Sequence, residues 1–105
     1  MRYFNSMSII ERNIDAIKRL CNIYAVEKMS VFGSVLTDRF NDNSDIDILV
    51  SFDELPVENY AENYLQLQEA LKTLLGREID LVEDKAIRNP VFRSQVDRTK
   101  VQIYG

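Results

Sequence analysis

The sequence predicts an α/β (α+β) fold built on a small mixed β-sheet of about four strands with helices packed on one face. Three observations point there. Short apolar or alternating runs occur near residues 29–32, 45–52, 78–82 and 101–103. Amphipathic stretches with helical spacing lie before and between them, and clusters of turn-forming residues separate the two kinds of segment. At 105 residues the chain forms one domain, 1–105, and a chain of this size buries roughly 65% of its unfolded surface, enough for a core without staples. With 3 glycines and 2 prolines there is no linker, repeat or low-complexity tract to divide it.

Ile10, Ile14, Ile17 and Cys21 recur at helical spacing, with Glu11, Arg12, Asp15, Lys18 and Arg19 on the other face, and predict a helix over 8–23. Met29–Phe32 reads as a short strand running into a Gly33-Ser34 turn and a helix over 34–40. Asn41-Asp-Asn-Ser44 is turn chemistry. The strand from Asp45 to Phe52 follows, and its end Ile48-Leu-Val50, apolar on both faces, places it centrally in the sheet. Asp53, Glu54 and Pro56 stop it, the two acids reading as solvated loop charges. Tyr60, Tyr64, Leu67, Leu71 and Leu74 then form one helical stripe, ended by Gly76. Its tyrosines are expected to pack against the sheet. Glu78–Val82 is a third strand. Asn89 is a good N-cap and Pro90 a good first residue for a helix to about Arg98, and Val101 and Ile103 suggest a closing edge strand.

Composition excludes several functions. A net charge of −4 and the lack of a basic run argue against direct nucleic-acid binding, which relies on clustered Lys and Arg. No stretch approaches the ~18 apolar residues of a membrane span, and Met1–Met7 lacks the apolar segment of a signal peptide, so a soluble, cytoplasmic protein is expected. The single cysteine, Cys21, cannot form an intrachain disulfide and reads as a buried thiol. The absence of histidine rules out Ser/His and Cys/His nucleophilic mechanisms and a His-dependent zinc site.

The chemistry concentrates in residues 32–50. Successive strand side chains point to opposite faces, so Asp45 and Asp47 share one face and Ile46 and Ile48 the other. Two carboxylates ~4 Å apart repel by about 4 kcal/mol at an effective dielectric near 20, and a hard divalent cation such as Mg²⁺ relieves this. Asp80, flanked by Ile79 and Leu81, joins them on the same face if its strand lies beside that of Asp47. At least one of the three carboxyls should then titrate above its ordinary value through like-charge repulsion. Gly33 permits a tight turn, and Ser34 stands where free N–H groups would meet phosphate. Taken singly each has a plainer reading, Ser34 as a helix N-cap and the Asp pair as a solvated strand start. Their spacing favours a site.

Gly33-Ser34, ten intervening residues, Asp45-Ile-Asp47 and the later strand aspartate Asp80 resemble the nucleotidyltransferase superfamily that includes polymerase beta and kanamycin nucleotidyltransferase. The small size and the segment Ile87-Arg-Asn-Pro-Val-Phe-Arg, with the closing Val-x-Ile-Tyr104, look most like the minimal nucleotidyltransferases. These are commonly antitoxins paired with a helical HEPN ribonuclease toxin. The resemblance implies a polymerase beta-like fold and Mg²⁺-dependent transfer of AMP from ATP to a hydroxyl of a HEPN-type partner. Gly33 and Ser34 would bind the nucleoside triphosphate, and Asp45, Asp47 and Asp80 would hold two Mg²⁺ ions and carry the catalysis. The alternatives are a binding-only antitoxin and a nucleotide- or metal-sensing module. One departure stands out: where such proteins often carry Ala-Arg-Gly after Gly-Ser, this chain has Leu36-Thr37-Asp38, with Arg39 displaced.

Overall fold

The computed structural model describes residues 4–105, with side chains from Met7 onward, so the first residues of the N-terminal segment considered above lie outside it. The element order is α1 (Phe4–Arg12), α2 (Ile14–Ile23), β1 (Val26–Phe32), a 3₁₀ turn (Gly33–Leu36), β2 (Ile46–Phe52), α3 (Val57–Leu75), β3 (Ile79–Glu83), a second 3₁₀ turn (Asp84–Ala86), α4 (Pro90–Thr99) and β4 (Val101–Tyr104). The sheet is mixed and four-stranded, in the order β3-β2-β1-β4. β1 runs antiparallel to β2 and β4, and β2 runs parallel to β3. β2 is therefore central, as its doubly apolar end requires.

One face of this sheet meets the three N-terminal helices. Ile10, Ile17 and Cys21, the sheet residues Met29, Val31, Ile46, Ile48, Val50 and Leu81, and Leu67 and Leu71 of α3 form a single buried cluster. Each such side chain contributes about 1.5–3 kcal/mol on leaving water. Burial pushes the Cys21 thiol up to about 12, so it is a packing group. The tyrosines of α3 pack as expected: Tyr60 meets Phe52 edge-on at 5.5 Å between ring centroids, and the Tyr64 hydroxyl donates to the Leu81 carbonyl. Gln68 donates to the Ile79 carbonyl at 3.0 Å, so α3 side chains occupy the outer edge of β3. Contrary to the expectation from sequence, the helices are not confined to one face: the fourth lies on the opposite face, where Val96 is buried with Phe32 and Leu49, because β1 and β2 carry apolar side chains on both sides.

Three element boundaries differ from the sequence reading. The helix expected over 8–23 is two helices, broken at Asn13, whose side-chain amide donates to the Ile9 carbonyl at 2.7 Å. Ile10 and Ile17 lie on either side of the break yet enter the same core, which is why the periodicity ran through it. The helix expected over 34–40 shrinks to one 3₁₀ turn; the Thr37 hydroxyl donates to the Ser34 carbonyl at 2.9 Å and competes with further helical bonding. β1 begins at Val26 and not at Met29, because a register shift between Val26 and Lys28 leaves Glu27 and Lys28 both exposed and hides the alternation. Among the described residues, no helix is long and apolar enough to cross a membrane.

Candidate active site

The site forms on the sheet face that carries α4. Phe32 is the register partner of Asp47 across β1 and β2, and Asp47 is the partner of Asp80 across β2 and β3. Residues directly opposite one another point to the same face, so the two carboxylates are neighbours. Asp45 stands exposed just ahead of β2. It is held there from behind: the Ile46 N–H donates to the Glu78 carbonyl, and Arg77 donates to the Asn41 and Ser44 carbonyls at 2.7 and 3.0 Å while its guanidinium lies 4.3 Å from the Phe40 ring centroid. Within the turn, the Asn43 N–H donates to the Asn41 side-chain oxygen and the Asn41 N–H to the Ser44 hydroxyl, which is the turn chemistry expected of these residues.

Gly33 closes the site from the end of β1. Its φ of +77° suits glycine, and a Cβ placed there would collide with Asp47 Oδ2 and stand 3.1 Å from its Cγ. The Asp47 carboxylate therefore rests against the bare α-carbon. Its pKa is pushed up to about 6, first by burial, then by the charge of Asp80 and a side-chain hydrogen bond with it, then by the charge of Asp45. The sequence predicts a raised carboxyl here through like-charge repulsion; burial is the larger cause and repulsion adds to it. Among the described residues no Lys or Arg forms an ion pair with Asp45, Asp47 or Asp80. Nor do three acidic side chains close into a ready-made ligand set: Asp47 and Asp80 are in contact, and Asp45 acts through its charge. Oxygen-only donors, short of cations and repelling one another, have the chemistry to hold a hard divalent ion.

A cleft of about 960 Å³ opens beside Asp47, bounded on one side by Gly33, Ser34 and Arg39 and on the other by α4, through Phe92, Gln95 and Arg98. Phe92 packs edge-on against Phe32 at 5.9 Å between centroids. The α4 side chains were not anticipated as site residues. Asn89 and Pro90 foretold the helix, and the Asn89 side chain does accept from the Val91 and Phe92 N–H groups, but nothing in the order of residues says which face of the sheet the helix covers.

Residues 15–105 match the family model described as polymerase beta, nucleotidyltransferase. A Methanocaldococcus jannaschii protein named as a candidate protein adenylyltransferase is 35% identical over 86 residues, covering 82% of this chain and 85% of the relative. A solved structure of a candidate minimal nucleotidyltransferase superposes with a TM-score of 0.75 at 29% identity, covering 90% of this chain and 93% of that one. A chain from the complex of tri-AMPylated Shewanella oneidensis HEPN toxin with an MNT antitoxin gives 0.62 at 26% identity, over 90% and 71% of the two chains. The fold, the pairing of Asp47 with Asp80 beside the Gly33 turn and these likenesses agree: the chain belongs to the polymerase beta nucleotidyltransferase family.

Proposed function

We propose that this chain is a Mg²⁺-dependent protein adenylyltransferase that moves AMP from ATP onto a hydroxyl of a HEPN-type toxin, and so acts as its antitoxin. The observation that carries this reading is the row Phe32, Asp47, Asp80 across three strands, which sets two carboxylates side by side, with Asp47 lining the cleft that begins at Gly33 and Ser34. Asp45, Asp47 and Asp80 would hold two Mg²⁺ ions. Bound there, such ions would neutralise phosphate oxygens and lower the pKa of the acceptor hydroxyl.

The chain's own residues supply the rest. The Gly33-Ser34 turn offers backbone N–H groups and a hydroxyl to the terminal phosphates, with no Cβ at Gly33 to hold them off. Asp80, exposed beside Asp47, accepts the proton of the incoming hydroxyl. The new bond joins that oxygen to the α-phosphorus while the bond from the α-phosphorus to the bridging oxygen of the β-phosphate breaks, and pyrophosphate leaves.

The departure Leu36-Thr37-Asp38 after the Gly-Ser turn favours a nucleotide- or metal-sensing module without transfer, and a binding-only antitoxin is the other alternative. One experiment separates transfer from blocking. Incubated with α-labelled ATP, Mg²⁺ and a co-encoded helical partner, the wild-type chain should label the partner and release pyrophosphate, and Asp45→Asn should do neither. Absence of label with wild type, together with protection of cells by Asp45→Asn, would overturn transfer in favour of blocking.

A further inference from the structure

The basic side chains around the cleft are sorted in an unexpected way. On α4 and its C-terminal cap, Arg93 is bound to Asp84 at 2.8 Å and to Asp97 at 3.1 Å, and Lys100 is bound to Asp97 at 3.2 Å. Arg98, on the same helix, lines the cleft, and so does Arg39 on the facing wall. Among the described residues neither of these two forms an ion pair. The chain carries a net charge of −4, with 17 acids to 13 bases, so acidic partners are plentiful, yet among the described residues the guanidiniums that line the cleft with Asp47 form no ion pair.

A guanidinium is a planar fork of donors that fits phosphate oxygens two at a time. Two of them lining one cleft together with Gly33 and Ser34 suit an extended polyanion lying along it. Their placement also bears on the departure after Ser34. The 3₁₀ turn ends at Leu36, and the irregular chain beyond it carries Arg39 to the cleft wall.

We infer that Arg39 and Arg98 clamp the β- and γ-phosphates of the nucleoside triphosphate from opposite walls of the cleft. The inference rests on the proposed transfer reaction for the identity of its ligand, and it assigns to α4 a role in substrate binding. Both guanidiniums neutralise charge that departs as pyrophosphate, so they act on triphosphate affinity and on leaving-group charge more than on the acceptor.

The test is equilibrium binding of ATP, inorganic tripolyphosphate and AMP, with Mg²⁺, to wild type, Arg39→Gln, Arg98→Gln and Arg98→Lys. Arg19→Gln serves as the control, removing one positive charge from α2 on the other side of the sheet. Each glutamine variant should weaken ATP and tripolyphosphate by about tenfold and leave AMP unchanged, as expected for loss of a charged hydrogen bond. Arg98→Lys should recover part of the loss, Arg19→Gln should match wild type, and thermal unfolding should be the same for all. Tripolyphosphate binding by both glutamine variants at the wild-type level, while the wild-type chain still labels its partner, would overturn the clamp and leave the transfer reaction standing. Failure of the wild-type chain to bind tripolyphosphate or to label any partner would overturn both.

Discussion

The α-carbon of Gly33 and the carboxylate of Asp47 are in direct contact: a methyl group at Gly33 would overlap Asp47 Oδ2 and press on Cγ at 3.1 Å. The glycine thus does two things, adopting φ +77° at the end of β1 and leaving room for an acid that must stand close to the turn. Gly33→Ala should cost about 1–3 kcal/mol of stability from backbone strain and the clash together, and should abolish partner labelling. If the clash is a real share of the cost, Gly33→Ala combined with Asp47→Ser should be less destabilised than the sum of the two single changes, by at least about 0.5 kcal/mol. Denaturant titration of the four proteins decides this, and strict additivity would show that the strain is in the backbone alone.

Arg77 governs the loop that delivers Asp45. It donates to two carbonyls of the turn and stacks on Phe40, so its charge, its fork and its flat face are all used. Arg77→Lys keeps only the charge. Both Arg77→Lys and Arg77→Ala should lower stability by about 1–2 kcal/mol and speed amide hydrogen exchange at residues 41–45. Exchange in Arg77→Lys at the wild-type rate would mean that the turn holds itself.

Asn89 sets the cleft's other wall. Its side-chain oxygen accepts from Val91 at 2.9 Å and Phe92 at 3.0 Å, and the helix it starts carries Val96 into the core and Phe92 and Arg98 to the cleft. Asn89→Ala should cost about 1 kcal/mol and Asn89→Asp or Asn89→Ser much less. Because the frayed end includes Phe92, ATP affinity should fall in Asn89→Ala even though residue 89 does not line the cleft. Calorimetric unfolding and ATP binding, measured on the same variants, check both parts.

Those residues also show what the sequence revealed and where it stopped. Alternation set Asp47 on the face opposite Ile46 and Ile48, and apolar neighbours placed Asp80 on a strand, because burial of Ile46, Ile48, Ile79 and Leu81 dictates which way the acids between them point; Asp45 falls outside β2 and is exposed. Caps are local chemistry, so Asn89, Pro90 and Gly76 marked helix ends correctly. Breaks that leave the buried stripe intact are silent in a periodicity, which is how Asn13 was missed. The cleft wall was invisible for another reason. Phe92, Gln95 and Arg98 lie more than forty residues from the Asp45-Ile-Asp47 motif, and only the packing of Val96 on Phe32 and Leu49 brings them over it.

The raised Asp47 carboxyl makes a prediction about pH and metal together. With a folded value of about 6 against an ordinary 3.8, the native state holds the proton more tightly than the unfolded chain does. The stabilising effect of protonation is therefore fully present below about pH 3.8 and is lost as pH rises through about 6, so above that the ionised group opposes folding. Allowing for solvent screening of a partly exposed group, the penalty at pH 7 is roughly 1–2 kcal/mol. Asp47→Asn should then be more stable than wild type at pH 7 without metal, with the difference vanishing by about pH 4, and it should transfer no label. Millimolar Mg²⁺ should reverse the order at pH 7, stabilising wild type and leaving Asp47→Asn unmoved, because a cation favours the ionised form that the fold by itself disfavours. Denaturant titrations across that pH range, with and without Mg²⁺, measure all of this. A variant no more stable than wild type in the absence of metal would mean that neither burial nor the neighbouring acids hold a proton on Asp47, and the case for a cation between Asp47 and Asp80 would lose its electrostatic basis.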